Sequence, residues 1–183
     1  MILTDGAIRE AMKRGAIEID PFDPAALGPN SYDVHLSPHL AYYTLPEGAP
    51  LDCAVEPSLT HWTLERSGLL QPGRLYLAST IERTRTTEHV PCLDGKSSIG
   101  RLGVAIHITA GRGDIGFNGH WTMEIIVAER PVRVYVGMPI GQLTFHQTTG
   151  RPLTPYDQRT GSKYTDAAVD PRPQPSRMWR NFK

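Results

Sequence analysis

Polar and apolar residues alternate over short stretches of this chain, and the alternation predicts strands at 31–36, 74–80, 104–109, 121–127, 132–136 and 142–145. Only one segment has a helical period. Ala7, Ile8, Ala11 and Met12 share a face, Thr4 or Asp5 is placed to cap it, and Gly15 ends it after Lys13 and Arg14. Residues 97–102 read as a single helical turn with a serine near its N-cap, which would gather backbone N–H groups, Lys96 and two hydroxyls around one point. Many short strands at close spacing predict a mainly β fold, a sandwich or barrel of jelly-roll character, with few and short helices.

Composition narrows this picture. Seventeen glycines and sixteen prolines, scattered along 183 residues, leave no room for long helices, and the length suits one domain over 1–183. The tail, 159–183, carries Pro171, Pro173 and Pro175 and reads as irregular chain that packs on the body or closes over something. Nineteen acidic residues balance nineteen Lys plus Arg, which argues against a nucleic-acid partner, since phosphate backbones are met by excess cations. Cys53 and Cys92 are the only cysteines and no Cys-x-x-Cys spacing exists, so neither a disulfide framework nor a zinc site is expected. No stretch has the composition of a signal peptide or the length of a membrane span, and the expectation is a cytoplasmic protein without a membrane partner.

Chemistry is concentrated between residues 95 and 124, where hydroxyls, two kinds of cation and two carboxylates meet glycine-rich turns. On a strand through 121–127, Glu124 shares a face with Thr122 and Ile126, opposite Trp121, Met123 and Ile125. Two readings stand: an edge glutamate paired with arginine, or a desolvated carboxylate suited to moving protons. Asp114, between Gly113 and Ile115-Gly116, is either a turn aspartate or a ligand contact. Ser97, Ser98 and Arg101 are suited to phosphate and to developing negative charge. Gly95-Lys96-Ser97 is not a P-loop, because Val90 stands where that pattern needs its first glycine. His107 reads as a hydrogen-bonded strand residue, and His35, His39, His61, His89, His120 and His146 show no metal-binding spacing. Tyr156 and Lys163 lie near or in the tail, either solvated or able to close over an anion.

Taken in order, several motifs resemble those of the dCTP deaminase family. These are Met1-Ile2-Leu3-Thr4-Asp5, Asp20-Pro21-Phe22-Asp23, Pro29-Asn30-Ser31-Tyr32-Asp33-Val34 and Gly95-Lys96-Ser97-Ser98-Ile99-Gly100-Arg101-Leu102-Gly103. Thr109-Ala110, Asp114, Gly116-Phe117, Gly119, Thr122-Met123-Glu124, Gly161-Ser162-Lys163-Tyr164 and Pro175-Ser176-Arg177 follow at the family's spacing. The resemblance implies a dUTPase-like distorted β-barrel, a homotrimer whose sites are assembled from neighbouring subunits, and zinc-independent hydrolytic deamination of dCTP to dUTP. The absence of a zinc-deaminase signature agrees with that.

By the same resemblance Glu124 is the general base and acid, with Ser97 and the Ala110 backbone holding the water and Arg101 steadying the charge. Lys96, Ser98, Tyr156 and Lys163 would hold the triphosphate as its magnesium complex. Asp114 would sit by the deoxyribose, and Gln142, Thr122 and Met123 would support the nucleotide. dTTP is a possible regulator.

The alternative is the bifunctional branch, which releases dUMP and pyrophosphate. Gly111 directly after Thr109-Ala110, Gln142 in Ile140-Gly141-Gln142-Leu143, and the Ser176-Arg177 to Asn181-Phe182 ending resemble that branch more. Arg112-Gly113 and Ile115 depart from the family loop, and Thr165, Asp166 and Ala167 stand where it has a glutamine. A dUTPase without deaminase activity and a non-catalytic nucleotide-binding trimer are the remaining readings. Intact Glu124, Ser97 and Arg101 argue against both.

Overall fold

A computed structural model describes residues 1–165 and 170–183, so Asp166 and Ala167 lie outside the described residues. The order is α1 (Asp5–Lys13), β1 (Ile17–Asp20), β2 (Tyr32–Tyr43), β3 (Leu59–Thr63), β4 (Ser67–Leu70), β5 (Tyr76–Thr86), β6 (His89–Gly95), α2 (Ser97–Gly100), β7 (Val104–Ala105), β8 (Asn118–Val127), β9 (Val132–Tyr135) and β10 (Pro139–Gln147). Short 3-10 turns add Pro24–Ala26, Tyr156–Gln158 and Met178–Phe182. The mainly β expectation holds.

Helix α1 forms where the periodicity placed it and buries Ile8 and Ala11, but Thr4 caps it through its position only, with no side-chain bond. No helix is long and apolar enough to cross a membrane, among the described residues.

The main sheet runs β6-β10-β2-β5-β8-β7, with β1 on β5 and β3 on β2, while β4 and β9 form a separate pair. Chain after β7 closes the path. Leu93 donates to the Gly111 carbonyl and Gly113 to that of Pro91 (2.8 Å), tying the loop between β7 and β8 to β6 at the other end of the order. The sheet thus curls towards a barrel, lined by Tyr32, Leu36, Met123, Ile125, Leu143 and Phe145 among others.

Pro91 made β6 hard to read in the sequence. It is tolerated because β6 pairs as a strand with β10 alone, so the missing N–H breaks no second ladder. The register of β5 on β8 shifts between Ser79 and Arg83. There the Thr80 hydroxyl takes the Trp121 N–H (3.0 Å) and donates to the Glu82 carbonyl (2.8 Å), patching the interrupted ladder.

His89, 6 % exposed at the start of β6, faces Arg14 with its Nε2 (3.3 Å), and no partner is found for its Nδ1 among the described residues. Burial, then the charge of Arg14, pushes its imidazole below the ordinary value of 6.5, with Glu88 offsetting part. The unfolded chain therefore takes up a proton that the folded chain resists. The associated stability is present above about pH 6.5 and is lost as pH falls through the folded value. Thermal melts from pH 7.5 to 5 should show Tm falling in the wild type and falling less steeply in His89→Gln. Parallel curves would remove His89 from the account.

Candidate active site

Strand β8 supplies the floor of a cavity of about 510 Å³ at the seam where the sheet closes. Alternation sends Met123 and Ile125 into the core and leaves His120, Thr122 and Glu124 on the cavity side, while Trp121, largely buried on the core face, still reaches the cavity wall with its indole. Met123 is 0 % exposed, so its side chain does not line the cavity, contrary to the substrate contact expected for it. The alternation that presents Glu124 necessarily withdraws its neighbour.

Glu124 is half-buried, and its Oε2 accepts the Ile108 N–H at 2.8 Å. That bond explains why the strand expected over 104–109 stops at Ala105. Beyond it the Ile108 amide is satisfied by a side chain, and the chain swings off the ladder as the loop that carries Thr109 and Ala110 to the cavity wall.

Asp114 reaches the wall through a turn closed by Phe117 N–H to the Asp114 carbonyl (3.1 Å). Gly116 there adopts φ +93°, and a Cβ on Gly113 would stand 2.7 Å from the Trp121 ring, so the glycine lets the loop lie against that indole. Phe117 packs against Trp121 and Tyr156 (ring centroids 5.5 and 6.0 Å), giving the wall an aromatic surface. The Tyr156 hydroxyl accepts the Tyr164 N–H (2.8 Å), and burial raises its pKa.

His120 is a cavity residue that the sequence reading missed. Its Nδ1 lies 3.0 Å from the Thr80 carbonyl, which can only accept, so that nitrogen carries the proton. Its place at two-residue steps from Thr122 and Glu124 was the available signal.

The tail lies across the same rim. Gln174 N–H donates to the Thr122 hydroxyl (2.9 Å), Ser176 N–H to the Tyr43 hydroxyl (3.1 Å) and Arg177 N–H to that of Tyr164 (3.3 Å). The Arg177 guanidinium also bonds the Lys163 carbonyl and stacks on Tyr164 at 5.2 Å. Lys163 itself is not among the residues lining the cavity.

The family model for dCTP deaminase-like proteins matches residues 2–148. The chain belongs to the dCTP deaminase-like family. Among its curated relatives, "dCTP deaminase, dUMP-forming" proteins are 41 % identical over 184 residues in Hathewaya histolytica, covering all of both chains, and 42 % identical in Leptospira biflexa, covering 100 % of this chain and 99 % of that one. One from Methanoregula boonei is 44 % identical over 177 residues, with 91 % and 92 % covered. A solved 2'-deoxycytidine 5'-triphosphate deaminase from Agrobacterium tumefaciens superposes with TM-score 0.64 at 21 % identity. It covers 80 % of this chain, which spans about half (48 %) of that structure's chain, and the likeness establishes the shared fold.

In this dCTP deaminase-like chain the remaining expected site residues form a second group, apart from the cavity. Lys96 Nζ bonds Asp33 Oδ2 at 2.6 Å, and Gln142 sits in register between Asp33 and Asp94 on one sheet face. Ser97 and Ser98 are exposed in the turn of α2, with Arg101 at its C-terminal end. Lys96 occupies the N-cap position, with the expected serines directly after it, and its side chain makes no cap bond.

The structure therefore brings Glu124, Ala110, Asp114, Thr122 and Tyr156 together. It leaves Lys96, Ser97, Ser98, Arg101, Gln142 and Lys163 outside that cavity. No group of three His, Cys, Asp or Glu residues is placed to hold a metal among the described residues.

Proposed function

We propose that the chain hydrolyses dCTP at C4 of the cytosine and then cleaves the phosphate chain, so that dCTP and two waters give dUMP, ammonia and pyrophosphate. The observation that carries the deamination is Glu124, a cavity carboxylate anchored to the Ile108 amide beside Ala110. Deamination to dUTP alone stood first in the sequence reading. The dUMP-forming names of relatives aligned over the whole chain favour the bifunctional branch instead.

On this reading Glu124 takes a proton from a water near the Ala110 backbone as oxygen attacks C4, and returns protons to N3 and to the departing amine. The aromatic wall of Phe117, Trp121 and Tyr156 encloses the nucleotide and limits competing water. Asp114 lies by the sugar and phosphates, where its carboxylate can orient the second water. Magnesium enters with the phosphates as part of the substrate.

Ser97, Arg101, Lys96, Ser98, Gln142 and Lys163 serve by this proposal from a neighbouring copy, in the homotrimer that the family resemblance implies. Leu102 (59 % exposed), Ile108 (55 %) and Ile126 (41 %) support such an assembly. They leave apolar surface uncovered around α2 and Glu124, where another copy would pack. A nucleotide substrate and two free thiols suit the cytoplasm.

Incubation with dCTP and magnesium, followed by ion-exchange separation, tests the reading. Expected are dUMP and pyrophosphate in equal amounts with no accumulation of dUTP. dUTP as the end product would restore the monofunctional reading, and intact dCTP would remove both. The same assay with added dTTP reads its proposed role as a regulator.

A further inference from the structure

Behind the Arg112-Gly113-Asp114 loop lies a second hollow of about 620 Å³, and Arg112, Asp114 and Tyr156 line both it and the first cavity. Its far side is built by the end of β10 and the chain that follows, with His146, Thr148, Thr154 and Arg159. The guanidinium groups of Arg112 and Arg159 have no hydrogen bond or ion pair among the described residues, whereas those of several other arginines do. Arg14 and Arg151 pair with Glu88, and Arg83 and Arg85 with Glu18.

Asp114 is the only carboxylate on the wall among the described residues. The Cys92 thiol, pushed up chiefly by burial, adds no negative charge. Two free guanidiniums against one carboxylate leave a local excess of cation in a chain whose total charge is zero.

We propose that this hollow binds a phosphate chain, separately from the base-binding cavity and connected to it through Arg112. Guanidinium forks match phosphate oxygens in bidentate fashion, and two of them lining one hollow suit a linked pair of phosphates better than a single ion. The wall offers hydroxyls at Thr148 and Thr154 and, among the described residues, no Phe or Trp, with Tyr156 and the smaller His146 ring as its only aromatic surfaces. The ligand is recognised by its phosphates. Two sources share that chemistry: pyrophosphate leaving the reaction proposed above, on which this source rests, or the phosphate chain of a second nucleotide. In the first case the hollow is a station on the exit path, and product held there slows the next turnover.

Calorimetric titration of the full chain with pyrophosphate, and in parallel with ATP, reads the site without reference to activity. Pyrophosphate should bind the wild type. The affinity should fall by about tenfold to a hundredfold in Arg159→Ala, the loss of one charge-assisted contact, and further in Arg159→Glu. Turnover of dCTP should change less than about twofold in Arg159→Ala, with melts confirming that both variants fold.

Pyrophosphate should inhibit the wild type even at saturating dCTP and lose that component in the variant. Binding of ATP alone, weakened by the same substitutions, would keep the site and assign it to a nucleotide. Affinities unchanged in both variants, or inhibition abolished by excess dCTP, would overturn the proposal. Failure of the chain to turn over dCTP would remove the proposed reaction while the calorimetry still reported on the hollow.

Discussion

Glu124→Gln should lose deamination by about 10²- to 10⁴-fold while keeping nucleotide affinity, because the amide cannot take the proton that the proposed step requires. Glutamine is the informative replacement. Its side-chain oxygen can still accept the Ile108 N–H that Glu124 holds at 2.8 Å, so the loop carrying Ala110 keeps its anchor. Alanine would remove the base and release the loop together, and its loss of activity would not distinguish the two. The measurement is single-turnover conversion of dCTP beside equilibrium binding of the same nucleotide. Wild-type turnover in the glutamine variant would exclude Glu124 as the base, and loss of binding together with turnover would make it a scaffold residue.

A mixing experiment has an effect as large, in the opposite direction. Glu124→Gln and Arg101→Ala should each be inactive alone. Unfolded together in equal amounts and refolded, they should regain about a quarter of wild-type activity, the share of sites in a random trimer that receive Glu124 from one chain and Arg101 from its neighbour. The expectation follows from the separation seen in one chain, where Glu124 lines the cavity and the α2 group does not. No recovery, with each variant shown to fold, would place both residues in one chain's site or leave Arg101 outside it.

How much of this was legible in the sequence depended on the range of the determining contacts. The β8 face was readable because Trp121, Met123 and Ile125 must bury together, which leaves Thr122 and Glu124 opposite them. The same alternation excluded the Met123 side chain from the cavity, and motif spacing obscured that. Strand β6 was hidden by Pro91, harmless only because of its place at the end of the sheet order. Strands β1 and β4 have four residues each, too few for their alternation to stand out from the turns around them, and β3 buries no face. The end of the 104–109 strand was not visible locally, because it depends on a carboxylate sixteen residues away taking the Ile108 amide. The division of the candidate residues into two groups depends on pairings across the whole sheet, and spacing along the chain carries no record of them.

The tail crossing the cavity rim alternates proline with other residues: Asp170, Pro171, Arg172, Pro173, Gln174, Pro175, Ser176. From 171 to 176, every second amide hydrogen is therefore missing. Those that remain go to side-chain oxygens: Arg172 to Asp170 at 2.9 Å, Gln174 to Thr122 and Ser176 to Tyr43. Such a segment is held extended by its own rings, so little disorder is lost when it settles, yet it lacks the consecutive donors needed to join the sheet as another strand. Its seat on the body combines the buried Pro173 ring with separate hydroxyl contacts at Ser79, Thr122 and Tyr43, each worth about 1 kcal/mol net. The barrel thus carries over its opening a strap joined to it by scattered side-chain oxygens and not by a strand ladder.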